Sequence, residues 1–317
     1  MNTAQTASLL ILTLLVLPVG CFYFGAFPDP EEWSLLKQLL IIALAIALLC
    51  FIVSEMTGNY SQVDKLWSLL PVVYVWIVTS NYEFNDRLML MSILVTIWGV
   101  RLTYNFSLKG AYSWKFWQGE EDYRWKVLRQ KTEFQQPWIW RLFNLGFICI
   151  YQNLLILLFT TPIIVAAQYN SIQLKSFDWI IALAMLSFIT YETIADFQQW
   201  NFQKTKWQKI KAGEILTENF QKGFLTRGLW AYSRHPNYFA EQCLWICFYL
   251  FSATVGGSWI NWSMVGCLLL ILLFQGSARF SEEISSTKYP EYGSYQKKVP
   301  LFIPKLFNLN KSSVAEK

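Results

Sequence analysis

Between two long apolar runs lies the polar stretch Gly228-Leu-Trp-Ala-Tyr-Ser-Arg-His-Pro-Asn-Tyr-Phe-Ala-Glu241. It contains His235, the only histidine among the 317 residues. Pro236 has no backbone N–H and suits the first turn of a helix, which the following apolar run supplies. This pattern predicts a helix N-terminus that carries Arg234 and Asn237, where free amides and the helix dipole favour an anion such as a phosphate. The same residues also suit a cap at the membrane interface, with the arginine facing lipid headgroups.

The composition is that of an integral membrane protein. Apolar residues make up 54% of the chain and charged residues 15%, and the mean hydropathy is +0.30. Soluble domains carry about 25% charged residues, so we expect an all-α, polytopic membrane helix bundle with about eight transmembrane helices. The eight stretches that are long and apolar enough are 8–27, 35–53, 66–80, 88–106, 143–167, 179–197, 238–253 and 259–274.

The distribution of basic residues predicts an orientation. If both termini are cytoplasmic, the outer side holds only three of the 26 Lys and Arg, namely Lys37, Arg87 and Lys175. This is the positive-inside pattern. It predicts a multi-pass protein of the bacterial inner membrane or the endoplasmic reticulum, with two basic segments, 101–141 and 196–234, on the inside.

Polar residues occur at the inner ends of two predicted spans. Glu192 and Asp196 are four residues apart and share a helix face, which at this depth points into a polar cavity unless the helix has already left the bilayer. Arg101 and Asn105 are also one turn apart; they face the same cavity, or Arg101 reaches lipid phosphates. No glycine-rich phosphate-binding pattern is present, so a nucleotide would bind among the membrane helices and inner loops. No metal site is expected, since the six cysteines fall mostly inside apolar runs.

The string Tyr232-Ser-Arg-His-Pro-Asn-Tyr-Phe-Ala-Glu241 resembles the signature of the steroid 5-alpha-reductase superfamily, and most closely its DUF1295 branch. Four other pieces resemble the same branch: Asp64-Lys-Leu-Trp-Ser68, Trp98-Gly-Val-Arg-Leu-Thr-Tyr-Asn105, Glu121-Asp-Tyr-Arg-Trp125 and Asp196-Phe-Gln-Gln199. The resemblance predicts N-terminal transmembrane helices over 1–58, a reductase-like membrane domain over 59–305 and a polar tail over 306–317.

The resemblance implies an NADPH-dependent oxidoreductase. It would reduce a carbon–carbon double bond conjugated to a carbonyl in a hydrophobic, steroid-like or isoprenoid lipid, with membrane lipids and no nucleic acid as partners. The implied cofactor-binding residues are Arg234, His235, Asn237, Tyr238, Glu241, Asp196, Tyr232, Arg101 and Asn105. Arg234 would hold a phosphate, Asn237 and Glu241 the nicotinamide, and Asp196 the ribose region. The residues that bind the substrate carbonyl are not identified; the polar candidates are Glu55, Asp64, Tyr74 and Tyr104.

Two other classes stay open. Isoprenylcysteine and phospholipid methyltransferases also have Arg-His-Pro before a span, and Glu282-Glu283 with Tyr292 would suit S-adenosylmethionine. Reductases continue after the proline with Asn-Tyr-x-x-acid, as Asn237 to Glu241 does, which favours reduction. The third class is a lipid-binding or scaffold protein with no nucleotide affinity.

Overall fold

The computed structural model describes residues 3–25, 27–115 and 117–305, and every regular element in those ranges is helical. The α-helices are α1 Thr3–Gly25, α2 Pro30–Thr57, α3 Gln62–Leu66, α4 Leu70–Asn81, α5 Asp86–Leu108, α6 Tyr123–Gln130, α7 Pro137–Phe143, α8 Gln152–Thr160, α9 Pro162–Ala167, α10 Ser176–Lys211, α11 Glu218–Gln221, α12 Pro236–Gly256, α13 Met264–Lys288 and α14 Tyr292–Lys298. A π-helix, Asn144–Tyr151, joins α7 to α8. The predicted fold class is confirmed, and the predicted tail at 306–317 lies outside the described residues.

Seven helical stretches of the described chain are long and apolar enough to cross a membrane: Gln5–Gly25, Pro30–Thr57, Asp86–Leu108, Pro137–Ala167, Ser176–Lys211, Pro236–Gly256 and Met264–Lys288. The remaining predicted span corresponds to α4, which has only 12 residues. At about 1.5 Å per residue, α4 is about 18 Å long and shorter than a hydrocarbon core of about 30 Å. Apolar helices therefore lie at all eight predicted places, and seven of them have the full length.

Local sequence explains where these helices begin and end. At the start of α2, the Asp29 carboxylate accepts from the amides of Glu31 and Glu32, and the Glu32 carboxylate accepts from the Asp29 amide. This reciprocal cap satisfies amides that the helix itself leaves without partners. Gly58 follows the last helical residue as its cap, and its φ of 68° is a left-handed conformation that costs glycine little.

The chain forms two compact units. The larger unit comprises Met1–Ser187 and Gln242–Gly276, and the smaller unit comprises Phe188–Glu241 and Ser277–Lys317.

In the larger unit, α4 packs against α5, while α8 packs against both α2 and α4. Close packing depends on small residues: a Cβ on Gly266 would lie 2.2 Å from the backbone of Leu158. A buried ion pair joins Arg87 at the start of α5 to Asp178 in the first turn of α10, with Nε to Oδ1 at 3.0 Å and side chains 1% and 4% exposed. The same guanidinium donates to the carbonyls of residues 172 and 173. Its charge is therefore paired with Asp178, and its other N–H groups bind the backbone.

The smaller unit has an aromatic core of its own. Phe224, Tyr292 and Tyr295 are buried together, and Tyr289 and Val299 pack against them. The chain approaches this core at Gly223, where φ is 83° and a Cβ would lie 2.2 Å from the Tyr289 ring. A side chain at this position has neither the room nor the backbone conformation it needs. The segment from Tyr289 to Val299 is therefore part of the packed unit.

Candidate functional site

The stretch around His235 begins with a loop that is fastened to α10. The Leu229 amide donates to Gln198 Oε1 at 2.9 Å, and Trp230 Nε1 donates to the Ala195 carbonyl at 3.0 Å. Gly228 allows this contact, since its φ is 62° and a Cβ would lie 2.5 Å from the Gln198 side chain. The loop leads into α12, which begins at Pro236 as predicted.

Arg234 makes most of its hydrogen bonds to the C-terminal part of the smaller unit. Its Nε and Nη2 donate to the two carboxylate oxygens of Glu282, the latter at 3.1 Å. Its Nη1 donates to the carbonyls of Gln296, at 2.9 Å, and Val299. A guanidinium has five N–H donors, and this arrangement uses four. Arg234 therefore connects α14 and the residues after it to the loop before α12 through hydrogen bonds.

Backbone amides at the start of α12 take part in the same arrangement. The Arg234 amide donates to the Pro300 carbonyl at 2.9 Å, and the His235 amide donates to the Leu301 carbonyl at 3.1 Å. The Lys305 amide donates in return to the Tyr232 carbonyl at 3.0 Å. Two of the backbone amides that the sequence predicts to bind an anion thus donate to carbonyls of the chain. The predicted phosphate contact of Arg234 is not tested by these contacts and stays a prediction.

His235 lies against the same carboxylate as Arg234. Its Nε2 is 3.3 Å from Glu282 Oε1, and its ring stacks on Tyr238 with centroids 5.1 Å apart and an interplanar angle of 16°. Gln296 Nε2 also donates to Glu282, at 2.9 Å. Glu282 thus accepts from Arg234, Gln296 and the Tyr292 hydroxyl, the last at 3.5 Å, and the buried His235 ring lies beside this cluster.

The second part of the site is a polar cluster between α10 and the first turn of α12. Asn237 Nδ2 donates to Asp196 Oδ1 at 3.1 Å. Because a carboxylate only accepts, this contact identifies the other amide atom, Oδ1, as oxygen. Asn237 Oδ1 is buried and has no donor among the residues that the structure describes. Glu192 and Glu241, one turn away on their respective helices, are each 4% exposed.

The remaining predicted residues differ in position. Tyr232 is 48% exposed, and its backbone carbonyl accepts from the Lys305 amide. Arg101 and Asn105 lie on α5, in the larger unit, with Asn105 buried. The structure therefore brings together Arg234, His235 and Tyr238 in one cluster, and Asn237 with Asp196 in another. The parts predicted for Arg101, Asn105 and Glu241 stay predictions.

Sequence reasoning missed the partners that hold these clusters in place. Gln198 and Gln296 received no role, and Glu282 was not recognised as the partner of Arg234. The available signal was charge: Arg234 is basic, and Glu282 and Glu283 are acidic residues of α13. The specific partner of Arg234 is not visible in the sequence, because Glu282 is 48 positions away.

Two of the family-like pieces also meet in the larger unit. Trp125 Nε1 donates to Asp64 Oδ2 at 2.8 Å, and the Asp122 amide donates to Ser61 Oγ at 2.9 Å. Burial and the neighbouring Asp122 carboxylate raise the pKa of Asp64. Burial opposes ionisation of Asp122 as well, but the charge and hydrogen bonds of Arg124 keep the pKa of Asp122 below its usual value. These contacts connect the segment after α2 to the segment before α6.

Comparison with known proteins follows the same pieces of sequence. The family model described as "Protein of unknown function (DUF1295)" matches residues 50–299. The uncharacterized protein C594.04c of Schizosaccharomyces pombe is 36% identical over 266 residues, which is 80% of this chain and 75% of that protein. No solved structure matches the chain. The family resemblance predicted from the sequence is confirmed.

Proposed function

We propose that this chain, which belongs to the DUF1295 family, is a membrane enzyme that uses NADPH to reduce a lipid. The bond reduced is a carbon–carbon double bond conjugated to a carbonyl, in a hydrophobic substrate of steroid-like or isoprenoid type. The single observation that carries this proposal is the half-buried Asn237–Asp196 pair, in which the buried amide oxygen has no donor among the described residues.

This pair suits the nicotinamide end of the cofactor. A primary carboxamide has N–H donors and a carbonyl acceptor, and Asn237 Oδ1 offers the acceptor that a carboxamide N–H needs. Asp196 would lie beside the ribose, as the resemblance implies. Glu241 follows Asn237 by four residues and therefore lies on the same helix face. When bound, NADPH supplies the hydride, and these side chains bind and orient it.

At the phosphate end of the cofactor, we give Arg234 a role that differs from the phosphate contact predicted from the sequence. Among the residues that the structure describes, four of its N–H groups bind the chain, which leaves at most one for a phosphate oxygen. We therefore assign Arg234 a positioning role. It holds the loop immediately before Asn237 in place through Glu282, and any phosphate contact would be additional.

The contacts of Glu282 also favour reduction over methyl transfer. In the methyltransferase alternative, this carboxylate would bind S-adenosylmethionine. Here it accepts from Arg234 and Gln296 and lies 3.3 Å from His235 Nε2. A carboxylate with three partners inside the chain is a poor candidate for a further cationic ligand, because binding would require loss of existing contacts.

The test is a paired titration of the purified full-length protein in detergent with NADPH and with S-adenosylmethionine. We expect NADPH to bind. Asn237→Ala should weaken that binding about tenfold, the value of a typical hydrogen bond. Asn201→Ala, on an exposed position of the same helix as Asp196, is the matched control and should bind as the wild type does. NADPH consumption with an enone lipid then measures the reaction.

Two outcomes contradict the proposal. Wild-type protein that binds S-adenosylmethionine and ignores NADPH would support the methyltransferase. An Asn237→Ala protein with wild-type NADPH affinity and an unchanged melting temperature would show that the Asn237–Asp196 pair does not contact the cofactor.

A further inference from the structure

The loop that follows α5 in the larger unit, residues 110–120, is closed at its base and attached to the segment after α2. The Glu120 amide donates to the Gly110 carbonyl at 2.9 Å, which joins the two ends of the loop. The carbonyls of residues 117–119 accept, at 2.8 to 3.2 Å, from three side chains of that segment: Gln62, Lys65 and Asn59. Compact loops whose ends are held together in this way are frequently functional. We call residues 110–120 the α5 loop.

The tip of the α5 loop presents large aromatic side chains to the outside of the chain. Trp114 is fully exposed, at 106%, and Trp117 is 38% exposed. The Gln118 amide donates to the Lys115 carbonyl at 2.7 Å, so a hydrogen-bonded turn places Lys115 between the two tryptophans in the chain. Because the base and the C-terminal side of the loop are fixed by hydrogen bonds, the exposed indoles belong to an ordered segment. An indole ring is a large apolar surface with one polar N–H, and this one has no cover within the described chain.

The position of the α5 loop identifies what lies beside it. The loop begins two residues after Leu108, the last residue of a helix long and apolar enough to span a membrane. Its attachment segment lies between the end of α2 at Thr57 and the start of α4 at Leu70. With its ends joined, the loop extends at most about five residues, or about 17 Å, from these helix ends. Tryptophan is enriched at the membrane–water interface, where its amphipathic ring lies at the level of the lipid headgroups.

The charge of the α5 loop selects among lipids. Lys109 at its base and Lys115 at its tip are exposed, and Glu120 is its only acidic residue. The two acidic residues that follow, at 121 and 122, are paired with arginines. The loop therefore adds positive charge beside two exposed tryptophans. Each lysine near a membrane surface is attracted by anionic lipids, whereas the headgroup of phosphatidylcholine has no net charge.

We propose that the α5 loop is a binding surface for anionic lipid headgroups in the leaflet at this end of the spanning helices. Trp114 and Trp117 lie at the headgroup level, and Lys109 and Lys115 pair with the negatively charged headgroups. The surface belongs to the larger unit and contains none of the residues assigned to NADPH. It stands or fails independently of the reductase proposal.

The test is fluorine NMR of the full-length protein, labelled with 5-fluorotryptophan, in nanodiscs of phosphatidylcholine and phosphatidylglycerol. Trp114→Phe identifies the Trp114 resonance by its loss. Spin-labelled phosphatidylglycerol and spin-labelled phosphatidylcholine are then added in separate samples. We expect both to broaden the Trp114 resonance, and the phosphatidylglycerol label to broaden it more. Lys115→Gln should reduce this excess about fivefold, the contribution of one lysine near an anionic surface. Its melting temperature should not change, because the loop is attached through backbone carbonyls.

Trp259 is the matched control in the same spectra. It is 67% exposed in the loop between α12 and α13, and no lysine or arginine occurs between residues 235 and 278. Its resonance, identified with Trp259→Phe, should be broadened equally by the two lipid labels.

Three results would overturn the proposal. A Trp114 resonance that is broadened by a water-soluble gadolinium chelate and by neither lipid label would place the loop in water, where it would suit a soluble protein partner. Equal broadening of Trp114 by the two lipid labels, or an excess that survives Lys115→Gln, would remove the preference for anionic lipid. An excess of the same size at Trp259 would show that the preference is not a property of the α5 loop.

Discussion

Replacing Arg234 with methionine should release the C-terminal part of the smaller unit. The change keeps the length of the side chain and removes four hydrogen bonds, two of them to Glu282. The two side chains are 12% and 8% exposed, so Glu282 would keep its charge without its main partner. Breaking a buried ion pair in this way costs about 3–5 kcal/mol. Because Arg234 retains some exposure, we expect the lower end, about 3 kcal/mol, which is roughly a hundredfold change in an equilibrium constant.

The affected segment contributes little to the spanning helices. Hydrogen exchange is therefore the assay, because it measures the protection of individual segments. In full-length protein in nanodiscs, amides after α14 should lose about a hundredfold of their protection. The Lys305 amide, which donates to the Tyr232 carbonyl at 3.0 Å, is the most direct reporter. Peptides from α4, in the larger unit, should exchange as in the wild type.

Arg141→Met is the matched control for this experiment. Arg141 also pairs with a glutamate, but its side chain is 67% exposed. Such surface pairs contribute about 0–1 kcal/mol. Unchanged protection after α14 in Arg234→Met, or a loss no larger than in Arg141→Met, would refute the positioning role of Arg234.

Two further predictions concern the larger unit. Arg87→Met should lower its unfolding free energy by about 3–5 kcal/mol, measured by denaturant titration, because the Asp178 carboxylate would stay buried without its partner; a loss below about 1 kcal/mol would show that the pair is no stronger than a surface one. Asp64→Asn should change the melting behaviour little, since burial already raises the pKa of Asp64 and the amide oxygen still accepts from Trp125. Asp64→Leu removes that acceptor and should cost about 1–3 kcal/mol; equal stability of the two variants would contradict this account.

The positions of the helices are properties of the sequence alone. A stretch that is apolar over the thickness of a bilayer finds no water there to bind its backbone groups. In an all-α chain it forms these hydrogen bonds within itself, as a helix. Pro236 likewise marks the start of α12 by its own covalent structure, because it lacks an N–H. The far ends are less predictable. α10 continues to Lys211 and α13 to Lys288, well past their apolar runs, since leaving the hydrocarbon does not end a helix.

The partners of the site residues depended on the tertiary structure. Arg234 was recognisable as a charged residue at a helix start, but whether it would bind a phosphate, a lipid headgroup or another part of the chain depended on what lies beside it. Its acceptors are Glu282, Gln296 and Val299, which are 48, 62 and 65 positions away. Hydrogen bonds form over about 3 Å in space, and no local pattern specifies which distant segment comes that close. For the same reason the sequence named Tyr74 as one polar candidate among several, and only the packed helices showed that its hydroxyl is buried without a partner among the described residues.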